Sequence, residues 1–220
     1  MRLAVIADVH DNLPALEAVV ADMQRQGVDG VITAGDYVVR GPFPVETIHL
    51  LRSLDAWMIR GNAEDYVLRY HGGEAPPPWY RSEQWAAMRW TCEHLDDGTL
   101  DLIRTLPPQR VVALDGVAPI RVVHGSPSDP SGRLMPEGDA DSLRWFRKAG
   151  FLPPGAKPPG PGSAFAQICE PVLICAHTHI PWVWERDGRL VCNPGAVSGA
   201  VNGDERAQYA LLTWREDRWE

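Results

Sequence analysis

The chain has 220 residues, of which 45% are apolar and 23% charged, and its formal net charge is −8. A chain of this length and apolar content can bury its own core, which excludes a disordered chain or a coiled coil and favours one domain over residues 1–220. The excess of acidic side chains argues against binding to duplex nucleic acid or an anionic membrane through a basic surface. A small substrate is therefore expected.

Strands and helices alternate through the first sixty residues. The apolar run 3–7 predicts a strand buried on both faces, and it is too short for a signal peptide or a membrane span. Helical spacing follows at 13–23, a second strand at 30–34, a second helix at 45–54 and a third strand at 56–59. This βαβαβ order predicts a parallel sheet with right-handed crossovers.

The rest of the chain mixes helices with antiparallel strands. Residues 65–106 form a helical insertion, which is either a partial lid or a set of core helices packed on the sheet. Asp115-Gly116 between two apolar runs predicts a β-hairpin. The later predictions are a helix near 141–149, a Pro/Gly-rich loop at about 151–164, a strand at 172–175, a hairpin at 182–192 and a strand at 209–214.

Four cysteines occur without a Cys-x-x-Cys pair, namely Cys92, Cys169, Cys175 and Cys192. A chain of this size does not need disulfide bonds for stability. Reduced cysteines and a cytoplasmic location are therefore expected, with Cys175 as a small buried apolar side chain.

Polar residues of the metal-ligand type stand where the predicted strands end. They are two aspartates, four histidines and one asparagine: Asp8, His10, Asp36, Asn62, His124, His177 and His179. Each alone is more simply a helix cap, a turn residue or a structural histidine, but strand ends in α/β folds face one crevice, so together they predict a metal site. The mixture of nitrogen and oxygen donors suits manganese, iron, zinc, cobalt or nickel, with manganese favoured. Seven donors are enough for two ions.

Five short segments occur in a specific order: Asp8-Val9-His10, Gly35-Asp36-Tyr37-Val38-Val39-Arg40-Gly41, Gly61-Asn62-Ala63-Glu64, His124-Gly125 and Ala176-His177-Thr178-His179. In this order they resemble the calcineurin-like metallophosphoesterases, in particular the small bacterial branch, over about residues 1–198. The resemblance implies an α/β fold in which two packed mixed β-sheets are flanked by helices, as a four-layer α/β/β/α sandwich.

The resemblance also implies a role for each ligand position. The first ion would be bound by Asp8, His10 and His179, the second by Asn62, His124 and His177, and both by a bridging Asp36. A hydroxide bridging the ions would be the nucleophile, because metal-bound water has a pKa of about 7. A small phosphorylated substrate, a phosphate mono- or diester or a nucleotide, would be hydrolysed.

The resemblance also implies that Arg40 contacts the phosphate, as the arginine of the corresponding segment does in the related protein phosphatases. A planar guanidinium matches two phosphate oxygens at once. With Asp36 and His124, Arg40 completes the expected catalytic residues. Arg60 is interpreted as a packing residue of the loop.

Two positions depart from the phosphatase branch. Ala63 replaces the histidine that protonates the leaving group there, and Val39 replaces the aspartate that pairs with it. Glu64, Asp65, His71 or a water is the hypothetical replacement acid; otherwise good leaving groups such as aryl oxides would be favoured.

Alternatives remain open at this stage. A non-catalytic binding scaffold on the same fold would have lost its ligands, whereas all seven positions are filled here. A metal-dependent nuclease is disfavoured by the charge of −8. Trp182 and Trp184 lie on one face of a strand and are expected in packing rather than stacked on a nucleobase. No membrane partner is expected, and the oligomeric state is unknown.

Overall fold

The computed structural model describes residues 1–136, 144, 147 and 155–220, and its first sheet carries the start of the chain. This sheet has the strand order β10-β9-β1-β2-β3. Its strands are β1 (Arg2–Ile6), β2 (Gly30–Thr33), β3 (Trp57–Met58), β9 (Ala210–Arg215) and β10 (Arg218–Trp219). β1, β2 and β3 are parallel, which confirms the βαβαβ prediction, and β9 is antiparallel to β1. The short strand β10 was not predicted.

The second sheet has the order β4-β5-β6-β8-β7. Its strands are β4 (Gln109–Val112), β5 (Ile120–Val123), β6 (Val172–Ile174), β7 (Pro181–Arg186) and β8 (Arg189–Pro194). Both predicted hairpins are confirmed, since β4 pairs with β5 and β7 with β8 in antiparallel register. β5, β6 and β8 are parallel, so this sheet is mixed as well.

Helices cover the outer faces of both sheets. They are α1 (Leu13–Gln26), α2 (Pro44–Ser53), α3 (Asn62–His71), α4 (Ala86–His94), α5 (Asp97–Thr105) and α6 (Pro161–Phe165), with 3₁₀ turns at Pro77–Tyr80 and Glu83–Trp85. Helix α1 begins where the Asn12 side chain accepts a hydrogen bond from the backbone N–H of Ala15. It ends at Gly27, whose φ of 64° is readily adopted only by glycine.

Alternate residues of β1 serve two different cores, which explains why its apolar run is unbroken. Leu3 and Val5 pack between the two sheets, whereas Ala4 and Ile6 pack against the helices. On the far side of the second sheet, Phe165 of α6 belongs to a third buried cluster. The predicted α/β/β/α sandwich of two mixed sheets is therefore confirmed.

The helical region at 65–106 packs into the core, as the second of its two interpretations expected. Met88, Cys92, Leu100 and Ile103 are buried in the same cluster as Leu16 of α1. No helix in the described part of the chain is long and apolar enough to cross a membrane.

The structure tests the predictions for residues 141–164 only in part. Apart from residues 144 and 147, the helix expected near 141–149 lies outside the described residues, and so does the first part of the 151–164 loop. The end of that loop was predicted wrongly, because helix α6 begins at Pro161. Proline lacks the N–H that the first turn of a helix leaves unused, so it is a favourable first residue.

Candidate metal centre

The seven predicted ligand residues meet at one edge of the sandwich. All follow the carboxyl ends of parallel strands, supplied in turn by β1, β2, β3, β5 and β6: Asp8 with His10, Asp36, Asn62, His124, and His177 with His179. Six of them fall into two groups of potential metal ligands. The first ligand group is Asp8, His10 and His179, and the second ligand group is Asp36, His124 and His177. Within each group the candidate ligand atoms lie within 4.8 Å of one another.

The first ligand group is buried. Nε2 of His10 lies 3.2 Å from Nε2 of His179, and Oδ1 of Asp8 lies 3.3 Å from the latter nitrogen. Oδ1 of Asp8 is inaccessible to solvent and has no hydrogen-bond partner among the residues that the structure describes. An unpartnered carboxylate oxygen at full burial is costly unless a cation approaches it.

The second ligand group includes Asn62 as a neighbour. Nε2 of His124 lies 3.2 Å from Oδ1 of Asp36 and 3.1 Å from Oδ1 of Asn62. The other oxygen of Asp36, Oδ2, lies 3.8 Å from Nε2 of His10 in the first group. Asp36 is thus placed between the two groups, with one oxygen towards each.

The hydrogen bonds of the imidazoles determine which ring nitrogen faces the centre as an acceptor. Nδ1 donates to a backbone carbonyl in three rings: His10 to Val39 at 3.0 Å, His124 to Ala34 at 2.7 Å and His179 to Gly199 at 2.8 Å. Because a carbonyl can only accept, Nδ1 carries a proton, and Nε2 is the nitrogen that faces the centre and binds a metal when it is deprotonated. Imidazole Nε2 atoms and carboxylate oxygens therefore converge, and this ligand set fits a pair of divalent transition-metal ions.

The pKa values of the ligand residues are also consistent with binding of cations. Burial raises the pKa of Asp36, but His124 and His10 outweigh burial and hold the pKa well below its usual range. Burial lowers the pKa of His124, yet Asp36 and Asp8 together raise it to about 10. Burial lowers the pKa of His10 and that of His177 to about 4 each. The carboxylates therefore stay ionised, and these two imidazoles stay neutral and able to bind a metal.

Five of the seven ligand residues have a left-handed backbone conformation, with φ between 50° and 66°: Asp8, His10, Asp36, His177 and His179. Such conformations are strained for residues other than glycine and persist where the surroundings enforce them. The loops after β1 and β2 support each other, since the N–H groups of Val9 and His10 both donate to the carbonyl of Asp36.

Glu64 is a structural residue of this centre and not the leaving-group acid. Its buried carboxylate accepts hydrogen bonds from four backbone N–H groups, those of Asp36, Tyr37, Val38 and Gly61. All its acceptor positions face the backbone, so it cannot reach a substrate. A Cβ atom at Gly61 would overlap Oδ1 of Asp36, which explains the glycine.

Of the two other candidate acids, one is ion-paired and the other is exposed. Asp65 is ion-paired with Nε of Arg60 at 2.6 Å, and Arg60 also donates to the carbonyl of Leu106. His71 is exposed in the last turn of α3. The hypotheses that Glu64, Asp65 or His71 protonates the leaving group are thus unsupported, and Arg60 packs the loop as expected.

Asn193 is a supporting residue that was not predicted. Its side chain donates to the carbonyl of Ala176 at 3.0 Å and to Oγ1 of Thr178 at 3.1 Å, and it accepts from the N–H of Gly195. It therefore fixes the loop that carries the last two histidines. The segment Asn193-Pro194-Gly195 was visible in the sequence, but no pattern within it indicated this contact.

Arg40 lies beside the first ligand group. A Cβ atom at Gly199 would lie 3.6 Å from Nη1 of Arg40 and 3.4 Å from Nδ1 of His179. The positive charge of Arg40 also lowers the pKa of His10 and opposes protonation of His179. Arg40 is exposed and has a φ of 112°, an unusual conformation for arginine, which suits a residue placed for a ligand.

Trp182 and Trp184 pack where the sequence predicted. Both contact the buried cluster that contains Phe165, and the ring of Trp184 lies 6.0 Å from the ring of Phe165. Cys175 is buried, and burial raises the pKa of its thiol. These residues are not part of the candidate centre.

Residues 1–181 match the model of the calcineurin-like phosphoesterase family. The protein belongs to this family, and it is a metal-dependent hydrolase of phosphate esters. A metallophosphoesterase from Sphaerobacter thermophilus is 30% identical, over 99% of this chain and 84% of that one, with a TM-score of 0.69. The hypothetical protein PH1004 from Pyrococcus horikoshii shares the fold, with a TM-score of 0.73 and 20% identity over 100% and 86% of the two chains. MJ0912 from Methanocaldococcus jannaschii is 24% identical over 96% of this chain and 82% of that protein.

Proposed function

We propose that the protein hydrolyses a small phosphate mono- or diester with two divalent metal ions. The observation that carries the proposal is the convergence of carboxylate oxygens and imidazole nitrogens from six side chains, five of them buried, with Oδ1 of Asp8 unpartnered among the described residues. The seven residues named from the sequence would hold the ions, and Asp36 would contact both because its two oxygens face different groups.

The chain contributes metal ligands in fixed orientations and the positively charged side chain of Arg40. Backbone carbonyls orient three of the four imidazoles, so little reorganisation is needed when the ligands bind charge. The ions, when bound, supply Lewis acidity and lower the pKa of coordinated water to about 7. Arg40 would bind two oxygens of the phosphate beside the first ligand group and neutralise part of their charge.

The proposal favours substrates with good leaving groups. Ala63 offers no proton, and the side chains of Glu64 and Asp65 are engaged elsewhere. An alcohol that leaves without a proton donor loses about 10² to 10⁴ in rate. Aryl esters and nucleotide phosphates, whose leaving groups are more acidic, lose least. Manganese is the metal we favour, and the cytoplasm the location.

The test is turnover of nitrophenyl mono- and diesters by the manganese-loaded protein. Asp36→Asn should reduce kcat/KM by about 10³-fold or more, because it removes a charge that both ions need. Arg40→Ala should reduce it by about 10²- to 10³-fold with the metal retained, while Arg52→Ala, an exposed arginine of α2, should have no effect. Metal-loaded protein that hydrolyses none of these esters would favour the non-catalytic scaffold.

A further inference from the structure

Beside Arg40 the surface contains a cavity of about 230 Å³ that is separate from the ligand residues. It is lined by Arg40, Gly41, Pro42, Ala87 and Trp90. Arg40 borders both the cavity and the first ligand group, because its guanidinium also lies next to Gly199 and His179. A molecule whose phosphate contacts Arg40 at the metal centre can therefore extend into this cavity.

Trp90 is the side chain that gives the cavity its chemistry. It is 37% exposed, an unusual state for an indole on a core-packed helix. The ring of His94 stacks on it, with 3.9 Å between ring centroids and 19° between planes. Nδ1 of His94 donates to the carbonyl of Trp90 at 2.7 Å, which fixes the stack.

Ala87 and Trp90 both line the cavity, whereas His94 is not among its lining residues. Ala87 lies three residues before Trp90 on α4 and His94 four residues after it, so the two flank the indole on the same face of the helix. His94 fills one side, whereas Ala87 has only a methyl group and borders the cavity. An apolar cavity of about 150 Å³ is known to accept benzene, so this space is large enough for an aromatic ring.

We infer that the cavity binds the aromatic group of the phosphorylated substrate, which stacks on Trp90 while Arg40 holds the phosphate. The inference rests on the proposed function and narrows its substrate class to aryl esters or nucleotides. It agrees with the lack of a leaving-group acid, because aryl oxides leave without one. It also assigns this role to Trp90 rather than to the two tryptophans of β7.

The test measures binding of phosphonates to manganese-loaded protein by calorimetry, since their carbon–phosphorus bond prevents hydrolysis. Phenylphosphonate should bind at least about tenfold more tightly than methylphosphonate, because stacking of one ring contributes this much. Trp90→Ala should abolish the preference and Trp90→Phe retain part of it. Tyr80→Ala, which truncates another exposed aromatic side chain, should leave the preference unchanged.

A second variant changes Ala87, another residue that lines the cavity. Ala87→Leu should fill the space above the indole and reduce the preference for phenylphosphonate to about that of Trp90→Ala. Benzyl- and phenethylphosphonate then distinguish the two sources of the ring. Tightest binding of phenyl- or benzylphosphonate, in which the ring lies no further from phosphorus than in an aryl ester, indicates an aryl ester. Tightest binding of phenethylphosphonate indicates a more distant ring such as a nucleobase.

Equal affinity for the methyl and phenyl compounds, no binding of either, or a preference that survives both Trp90→Ala and Ala87→Leu would overturn the aromatic subsite. The proposed function is judged separately by turnover of the nitrophenyl esters. A protein that hydrolyses these esters without an aromatic preference keeps its function and loses the subsite.

Discussion

In the first ligand group, backbone carbonyls of Val39 and Gly199 orient both imidazoles, whereas in the second group only His124 is held in this way. The ring of His177 is partly exposed and makes no hydrogen bond within residues 1–136 and 155–220. Composition does not explain the difference, because each group has one carboxylate, one histidine whose pKa is raised and one whose pKa is lowered. The two groups therefore have the same types of ligand, but fewer hydrogen bonds orient the imidazoles of the second group. The two groups should differ in their affinity for a metal ion.

The second ligand group has support of another kind. Glu64 holds the backbone around Asp36, and the N–H of Ala63 donates to Oδ1 of Asp36 at 2.8 Å. Its stability therefore depends on a carboxylate that never touches the metal position. Variants that remove these supporting hydrogen bonds one at a time should therefore affect the two ligand groups differently.

The largest effect is expected for Glu64→Gln. A glutamine amide would direct a donor at backbone N–H groups that need an acceptor, so the free energy of unfolding should fall by more than about 3 kcal/mol. The second ion should be lost first. Chemical denaturation with metal analysis measures both effects, and Glu17→Gln on the exposed face of α1 is the matched control. An unchanged denaturation midpoint would contradict the structural role of Glu64.

Removal of metal should separate the two groups kinetically. Transfer of manganese to a chromophoric chelator is expected in two phases, with the faster phase from the second group because His177 is least supported. His177→Ala should eliminate the fast phase, and His10→Ala the slow one. If His177→Ala eliminated the slow phase instead, the proposed order of support would be reversed.

A smaller effect is expected at Asn193. Asn193→Ala removes the donors that hold the carbonyl of Ala176 and the hydroxyl of Thr178, so metal affinity should fall by about 10- to 100-fold. Equilibrium titration with manganese measures this change. The same titration on Asn202→Ala, in an exposed loop, should match the unaltered protein.

The smallest expected effect is the release of a proton when a metal ion binds. The pKa of His124 is raised to about 10 in the metal-free protein, so at pH 7 this imidazole is protonated and a metal ion must displace the proton. Metal uptake at pH 7 should therefore release a proton from His124, and the release should diminish as the pH approaches 10. Apparent affinity should rise with pH over the same range. Calorimetry in buffers of different ionisation enthalpy counts the protons, and release that does not depend on pH would disprove the shift.

The sequence predicted ligand types better than their support. Asp8, Asp36 and His124 could be named because each follows an apolar strand, and strand direction alone brings such positions to one edge. The roles of Glu64 and Asn193 depend on backbone groups that are distant in the sequence, such as the N–H of Asp36 and the carbonyl of Ala176. No local pattern encodes those contacts.

Irregular segments limited the prediction of the fold in a similar way. The strand β10 has two residues, too few for a periodicity to detect, and among the described strands it pairs with β9 alone. Helix α6 is short and begins within a run of prolines and glycines that indicated a loop. In the same way, the exposed Trp90 could be connected with the metal centre only when α4 was seen beside Arg40.

Elemental analysis of the manganese-reconstituted protein tests the central claim, that two separate ligand groups each hold one ion. The account predicts two ions per chain, and one ion per chain in both His10→Ala and His177→Ala. A single ion in the unaltered protein, or the loss of both ions from either variant, would contradict two independently filled ligand groups.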